Sequence, residues 1–164
     1  MTKEIPVHGG LVALVDDEDY ELVKEYSWHK GIGDSIVYAR AWVRGAVPKR
    51  KIRMHQLILS VAKPMRPDHI NGNGLDNRRE NLRPCTNAQN ACNAKKQRSA
   101  HSSNPSSAFK GVTWLKKNKR WLAQIAPNGK WIYLGCFDSE TEAAQAYNKA
   151  ALIHFGEFAR LNVL

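Results

Sequence analysis

One stretch of the sequence concentrates the residue types that chemistry needs. From Pro67 to Leu82 it is a polar, turn-rich run built around the pair Asp68-His69, followed by Asn71-Gly72-Asn73-Gly74 and Asp76-Asn77-Arg78-Arg79-Glu80-Asn81. A neutral imidazole can take up a proton near pH 7, and carboxylate and carboxamide oxygens suit hard divalent cations. Taken alone, an Asp-His pair in such a loop is more often an exposed turn, because Asn, Asp and Gly are turn formers. Adjacent residues of a strand point to opposite faces, so Asp68 and His69 can serve one site only where a strand ends or bends, as the nearby glycines permit.

The neighbouring segments supply the elements that would position this run. Ahead of it, Met54, Leu57, Ile58 and Val61 recur at helical spacing up to Pro64. Behind it, Thr86 and Gln89 form a T-x-x-Q capping box, which predicts a helix running to about Arg98 with Asn90 in its first turns. The outline is strand, long loop, strand, helix. Further upstream, Leu11–Val15 reads as a strand and Asp16–Glu25 as a short helix. Val37, Ala39, Ala41 and Val43 alternate with Tyr38, Arg40, Trp42 and Arg44 as the two faces of another strand. Metal binding by Asp16, Asp17 and Asp19 is not expected, because the spacing and glycine of a calcium loop are absent; an exposed helix start is the expectation.

Composition narrows the partner. The chain has 164 residues, 25 of them Lys or Arg against 15 Asp or Glu, for a formal charge of +10. Residues 1–53 carry +1, 54–98 carry +5 and 99–164 carry +4, so the surplus sits where phosphate contacts are to be sought. A content of 43% hydrophobic residues excludes a disordered basic tail, and the length excludes a large multi-lobed enzyme. No window approaches the roughly 18 apolar residues of a membrane span, and the opening MTKEIPVHGG lacks an apolar signal core, so a cytoplasmic protein with no membrane partner is expected. Cys85, Cys92 and Cys136 include no CxxC pair, which argues against a disulfide framework or a thiolate zinc site.

Gln97–Ala108, rich in serine, reads as an exposed linker. Beyond it, Phe109–Trp114, Trp121–Ala126 and Trp131–Phe137 are strand-like and separated by turn signals. They predict a three-stranded antiparallel sheet. Ser139-Glu140-Thr141-Glu142 then opens a helix whose stripe of Ala143, Ala146, Tyr147, Ala150 and Ala151 ends at Gly156. Trp114, Trp121 and Trp131 are expected in core or sheet packing.

Residues 50–95 resemble the HNH homing-endonuclease family, a ββα-metal nuclease type of phages and mobile introns. The resemblance rests on Met54-His55-Gln56-Leu57, Asp68-His69, Asn71-Gly72-Asn73, the run Asn77–Leu82 and Asn90. It implies a metal-dependent endonuclease: His69 as the general base that deprotonates water, Asp68 and Asn90 as oxygen ligands of one Mg²⁺ or Mn²⁺ ion, and Asn81 as the residue that fixes the loop and hence His69. These roles suit phosphodiester hydrolysis, which needs both a base and a cation. For His55, packing or a structural hydrogen bond is expected ahead of a phosphate or metal contact. Arg78, Arg79 and Arg83 fit phosphate contacts and a solvated face equally well.

Residues 108–162 resemble the APETALA2/ethylene-response type of DNA-binding domain. The matching text includes Phe109-Lys110-Gly111-Val112, Arg120–Ile125, Tyr133–Asp138, Glu142-Ala143-Ala144 and Gly156–Asn162. In that family the sheet lies in the major groove with the helix behind it, a docking that a basic sheet face allows. The candidate DNA contacts are Lys110, Thr113, Lys116, Lys117, Arg120, Gln124, Lys130 and Tyr133, with Arg40, Arg44, Arg78 and Arg79 outside this domain. Thr113 and Trp131 stand where the plant domains carry arginines, so the plant target sequence does not transfer.

The expected architecture is α+β. A β-rich segment (1–52) precedes an HNH core (53–98), a Ser-rich linker (99–107) and an APETALA2-type domain (108–164). Double-stranded DNA is the expected partner of a monomer that uses no small-molecule substrate. A cleavage-inactive DNA-binding regulator is the competing reading, and an RNA-binding protein, which would leave the Asp68-His69 constellation unexplained, is a third.

Overall fold

The computed structural model describes residues 1–31, 36–96 and 106–164, so most of the expected Ser-rich linker lies outside the described residues. The architecture is α+β, and the chain divides into two compact units, Met1–Asn87 and Ala88–Leu164.

The first unit is built on a five-stranded sheet. Strands β1 (Thr2–His8) and β2 (Leu11–Asp16) form a hairpin through Gly9-Gly10, whose positive φ angles of 97° and 75° are the left-handed conformations glycine tolerates. β1 also pairs in parallel with β3 (Trp28–Lys30), which is followed across the sheet by β4 (Ala39–Trp42) and β5 (Lys51–Arg53), giving the order β2-β1-β3-β4-β5. The alternation expected around Val37–Arg44 is observed, with Ala39 and Ala41 buried and Trp42 exposed. Ile5, Val7, Ala13, Val15 and Trp28 line the same inner face as these alanines. Val23 of α1 (Asp17–Val23) and Met54 and Ile58 of α2 (Met54–Ile58) complete that core.

α2 is shorter than its apolar spacing predicts. Leu59 leaves the helical conformation (φ −105°, ψ 82°) and packs on the same core, so tertiary burial overrides the helical repeat. Strands β6 (Arg66–His69) and β7 (Leu82–Cys85) form an antiparallel pair, and Leu82 joins the sheet's core. Residues 1–52 and 53–87 thus share one apolar interior.

Helix α3 (Asn87–Asn93) follows, and it stops short of Arg98. Its final carbonyls are met by a side chain instead of a further turn: Lys110 Nζ donates to the carbonyls of Cys92 (2.7 Å) and Ala94 (2.8 Å). Lys96 Nζ similarly gathers the carbonyls of Ser107, Phe109 and Val112 at 2.8–3.1 Å.

The second unit contains the expected three-stranded antiparallel sheet, β8 (Val112–Leu115), β9 (Arg120–Ile125) and β10 (Ile132–Phe137), in the order β10-β9-β8. Helix α4 (Glu140–Phe155) packs on one face of it, capped by Ser139, whose hydroxyl accepts from the Thr141 amide. Its buried Ala143, Ala144, Ala150 and Ala151 let the helix lie close to Val112, Ala123 and Ile125. Asn162 ties the C-terminal segment down, since its side chain exchanges hydrogen bonds with the Lys110 backbone and its backbone with the Asn148 side chain. Trp114 and Trp121 pack together, whereas Trp131, expected in core or sheet packing, is 71% exposed beside the β9–β10 turn.

Gly111 shows how tight this packing is. It has φ +76°, and a Cβ there would run into the Tyr147 ring and come within 2.6 Å of the Gln124 carbonyl. Gly111→Ala is therefore expected to destabilise the protein by about 3 kcal/mol or more, combining backbone strain with overpacking, as read from thermal or urea unfolding of the full chain.

Candidate active site

The Asp68-His69 pair sits at the end of a strand, as the shared-site requirement demands. β6 terminates at His69, and both residues are buried. Across the ladder Asp68 faces Arg83, whose Nε and Nη2 donate to its Oδ2 at 3.2 and 3.1 Å. Arg83 is itself only 8% exposed, so it is neither on a solvated face nor presented to phosphate.

His69 is oriented by a residue that the sequence reading did not single out. Its Nε2 lies 3.2 Å from Asn77 Oδ1, and Asn77 Nδ2 donates to the Leu75 carbonyl at 3.1 Å. Since that bond commits the amide nitrogen, the oxygen faces the ring as an acceptor; Nε2 then carries the hydrogen and Nδ1 the basic lone pair. Two further rings pack on the imidazole: His55 edge-on, with centroids 4.8 Å apart, and Tyr38 at 5.7 Å. Gly74 makes room for Tyr38, because a Cβ there would meet the Val37 carbonyl and lie 2.6 Å from the tyrosine ring.

The loop between the two strands is held by side-chain amides. Asn81 Nδ2 donates to the Asp76 carbonyl (2.7 Å) and to Asn71 Oδ1 (3.1 Å), while its Oδ1 accepts from the Asn71 amide (3.0 Å). Asp76 in turn accepts from Asn71 Nδ2 and from both Nε and Nη2 of Arg78. The loop also docks on β2: the Leu14 amide donates to the Leu75 carbonyl and the Asn77 amide to the Leu14 carbonyl, each at 2.8 Å.

The acidic N-terminal run completes this frame. Asp19, expected on an exposed helix start, is 2% exposed and accepts two hydrogen bonds from the Arg79 guanidinium at 2.7 and 2.8 Å; Asp16 accepts from the Arg79 amide. Arg78 and Arg79 thus both enter ion pairs within the unit, with Asp76 and Glu80 and with Asp19 and Glu18 respectively.

Electrostatics favour neutral rings at the centre. Burial pushes His69 below its ordinary value, against the opposing pull of the Asn77 hydrogen bond and the Asp68 and Asp76 charges. His55 falls further, to about 2, through burial first and then through His69, Arg53 and Arg40. Hydrogen bonding from Arg78 holds the Asp76 carboxyl below its usual value.

Asp68, His69 and Asn81 therefore share the first unit's site, while Asn90 lies on α3 within the second unit's residues. Among the described residues no group of three or more His, Cys, Asp or Glu could enclose a metal. A carboxylate oxygen suits a hard, water-rich divalent cation, which rarely needs an all-protein cage. A carboxylate offers about four acceptor directions, so Asp68 can serve a cation together with Arg83.

On the second unit, register places Thr113, Arg120, Gln124 and Tyr133 on the sheet face opposite α4. Arg120 also pairs with Asp138. Lys116 and Lys117 are exposed in the β8–β9 turn and Lys130 in the β9–β10 turn, whereas Lys110 is turned onto the α3 carbonyls. In the first unit Arg40 is half-buried on β4, and Arg44 is exposed just after it. No helix among the described residues is long and apolar enough to cross a membrane.

Comparison with known proteins yields relatives for both parts. A family model described as HNH endonuclease matches residues 44–92. An uncharacterized HNH endonuclease of Acanthamoeba polyphaga mimivirus is 30% identical over 159 residues, covering 93% of this chain and 75% of the relative. Protein 3.8 of Escherichia phage T7 is 31% identical over 93 residues, 57% of this chain and 72% of that protein. APETALA2-like protein 2 of Oryza sativa subsp. indica is 41% identical over 75 residues, 46% of this chain but only 17% of that protein.

The buried histidines give the site a pH signature. A histidine whose folded-state pKa is depressed contributes stability that is complete above the unfolded value, 6.5, and is lost as pH falls below it, because the unfolded chain takes up the proton first. Urea unfolding should show a loss of about 2 kcal/mol from His55 alone between pH 6.5 and 5, at about 1.4 kcal/mol per unit. His55→Phe, which keeps a ring without a titrating nitrogen, should flatten this limb.

Proposed function

The chain belongs to the HNH endonuclease family, and on that premise we propose that it is a metal-dependent endonuclease of double-stranded DNA in which His69 is the general base. The observation that carries this reading is the buried His69, neutral by its surroundings, oriented by Asn77 and adjacent in sequence to the Asp68 carboxylate. A base buried in its neutral form is ready to accept a proton from water without first losing one. Nδ1 is the accepting atom, because Nε2 spends its hydrogen on Asn77.

Asp68 would hold one Mg²⁺ or Mn²⁺ ion, with Asn90 as the second ligand that the sequence resemblance implies. When bound, the ion supplies charge stabilisation for the phosphate and the leaving 3′ oxygen. Arg83 keeps the Asp68 carboxylate in register with its strand, and Asn81 keeps the loop that carries Asn77 closed. The outward sheet face of the second unit, with Thr113, Arg120, Gln124 and Tyr133, would read the major groove, helped by Lys116, Lys117 and Lys130. The support for this is the likeness to APETALA2-like proteins and the positive surplus of the C-terminal block. Lys110 would act indirectly, by holding α3. As a monomer with one site, the protein would nick one strand per encounter.

The test is cleavage of supercoiled plasmid with Mg²⁺, Mn²⁺ or EDTA. Metal-dependent nicking is expected, reduced about 10²–10⁴-fold in His69→Ala by loss of the base. Asn77→Ala is expected to lose about 10–100-fold, because the ring keeps its nitrogen but not its orientation. Binding of DNA without cleavage under every metal, on substrates that include DNA of the natural host, would overturn the nuclease reading in favour of a regulator.

A further inference from the structure

The sheet of the first unit has an outer face that the proposed reaction does not use. Register aligns His8, His29, Arg40 and Arg53 as one row across β1, β3, β4 and β5, each directly opposite the next. Directly opposed residues lie on the same face, and Ala39 and Ala41 point into the core, so this row points away from it. Trp42 and Lys51 form the next row, also in register. With strands about 4.8 Å apart, the longer row spans roughly 14 Å, the rise of about four base pairs of duplex.

Three observations mark this face as a place for an anion. Strands β3, β4 and β5 carry basic residues and no Asp or Glu. His29, Arg40, Trp42 and Lys51 border a shallow cavity of about 170 Å³, and Arg40 lies over Gly31, where a Cβ would come within 2.6 Å of its Nε. Trp42 is 53% exposed and carries the Lys51 ammonium 4.6 Å from its ring centroid, which holds that cation at the rim.

The row also has a direction. Its last member, Arg53, stacks its guanidinium 5.0 Å from the centroid of the Tyr38 ring, and Tyr38 packs on both His55 and His69. The row therefore ends one side chain away from the imidazole.

We propose that the outer face of β3–β5 is a phosphate-binding track that carries the backbone of duplex DNA toward His69. Arg40 and Lys51 contact successive phosphates, Arg53 contacts the phosphate nearest the site, and Trp42 fixes Lys51. The proposal rests on the endonuclease reading and extends it to a second DNA contact, independent of the APETALA2-like sheet.

The experiment is a salt series of binding by the full chain to a fluorescein-labelled duplex, followed by anisotropy between 50 and 300 mM NaCl. Each phosphate contact contributes about 0.9 to the slope of log K against log salt, so Arg40→Gln/Lys51→Gln should lower the slope by about 2 and weaken binding about tenfold or more near 100 mM. The exposed Lys51→Gln alone should lower it by about 1. Lys3→Gln/Lys24→Gln, which removes two charges elsewhere on the same unit, should leave the slope at the wild-type value. A double variant with the wild-type slope, in a protein that binds DNA steeply, would overturn the track and leave the endonuclease reading standing. A wild type with a flat salt response or no binding would remove both.

Discussion

The carboxamide of Asn81 does for the loop between β6 and β7 what a hydrophobic core does for a domain. Between Ile70 and Asn81 the chain has few apolar side chains to bury and little regular structure, so its shape must come from hydrogen bonds. Asn81 makes three of them, to Asn71 twice and to Asp76 once. Those bonds fix the backbone that presents Asn77, and Asn77 fixes the ring of His69. Removing the Asn81 amide would leave the buried Asp76 carbonyl and two groups of Asn71 without these partners at once, a cost larger than the mean value of a single hydrogen bond.

Around this network the protein arranges charge in nested pairs. Asp68 meets Arg83 across the ladder, Asp76 meets Arg78 within the loop, and Asp19 reaches Arg79 from sixty residues away. In each pair the carboxylate is buried, so it needs a partner, and arginine supplies a planar fork suited to it. The acidic N-terminal run therefore belongs to the frame of the site. The five-stranded sheet that carries it also supplies Tyr38 from the segment leading into β4, and α2 supplies His55.

Much of this was legible in residue order. Alternation gave the inner and outer faces of β4, the turn signals gave the three-stranded sheet, and the motif brought Asp68, His69 and Asn81 to one place. What was not legible has physical reasons. β1 escaped notice because its outward residues include Pro6 and His8 and only Ile5 and Val7 are buried, too short an alternation to stand out. Asn77 looked like one turn former among many, since a residue's type does not disclose which way its amide points. Asp19 and Arg83 read as surface charges because burial of an ion pair depends on contacts between residues distant in sequence or across a ladder. Lys110, taken for a DNA contact by its place in the family pattern, was claimed by the end of α3, which no local pattern could reveal.

The choice of Asn77 as the partner of His69 has a consequence for the charge of the ring. A carboxylate in that position would add a further countercharge to those of Asp68 and Asp76 and favour the imidazolium. A neutral amide orients the ring through its carbonyl oxygen with a weaker pull toward the charged form, and burial keeps the balance on the neutral side. The residue that aims the ring thus leaves its neutral form favoured.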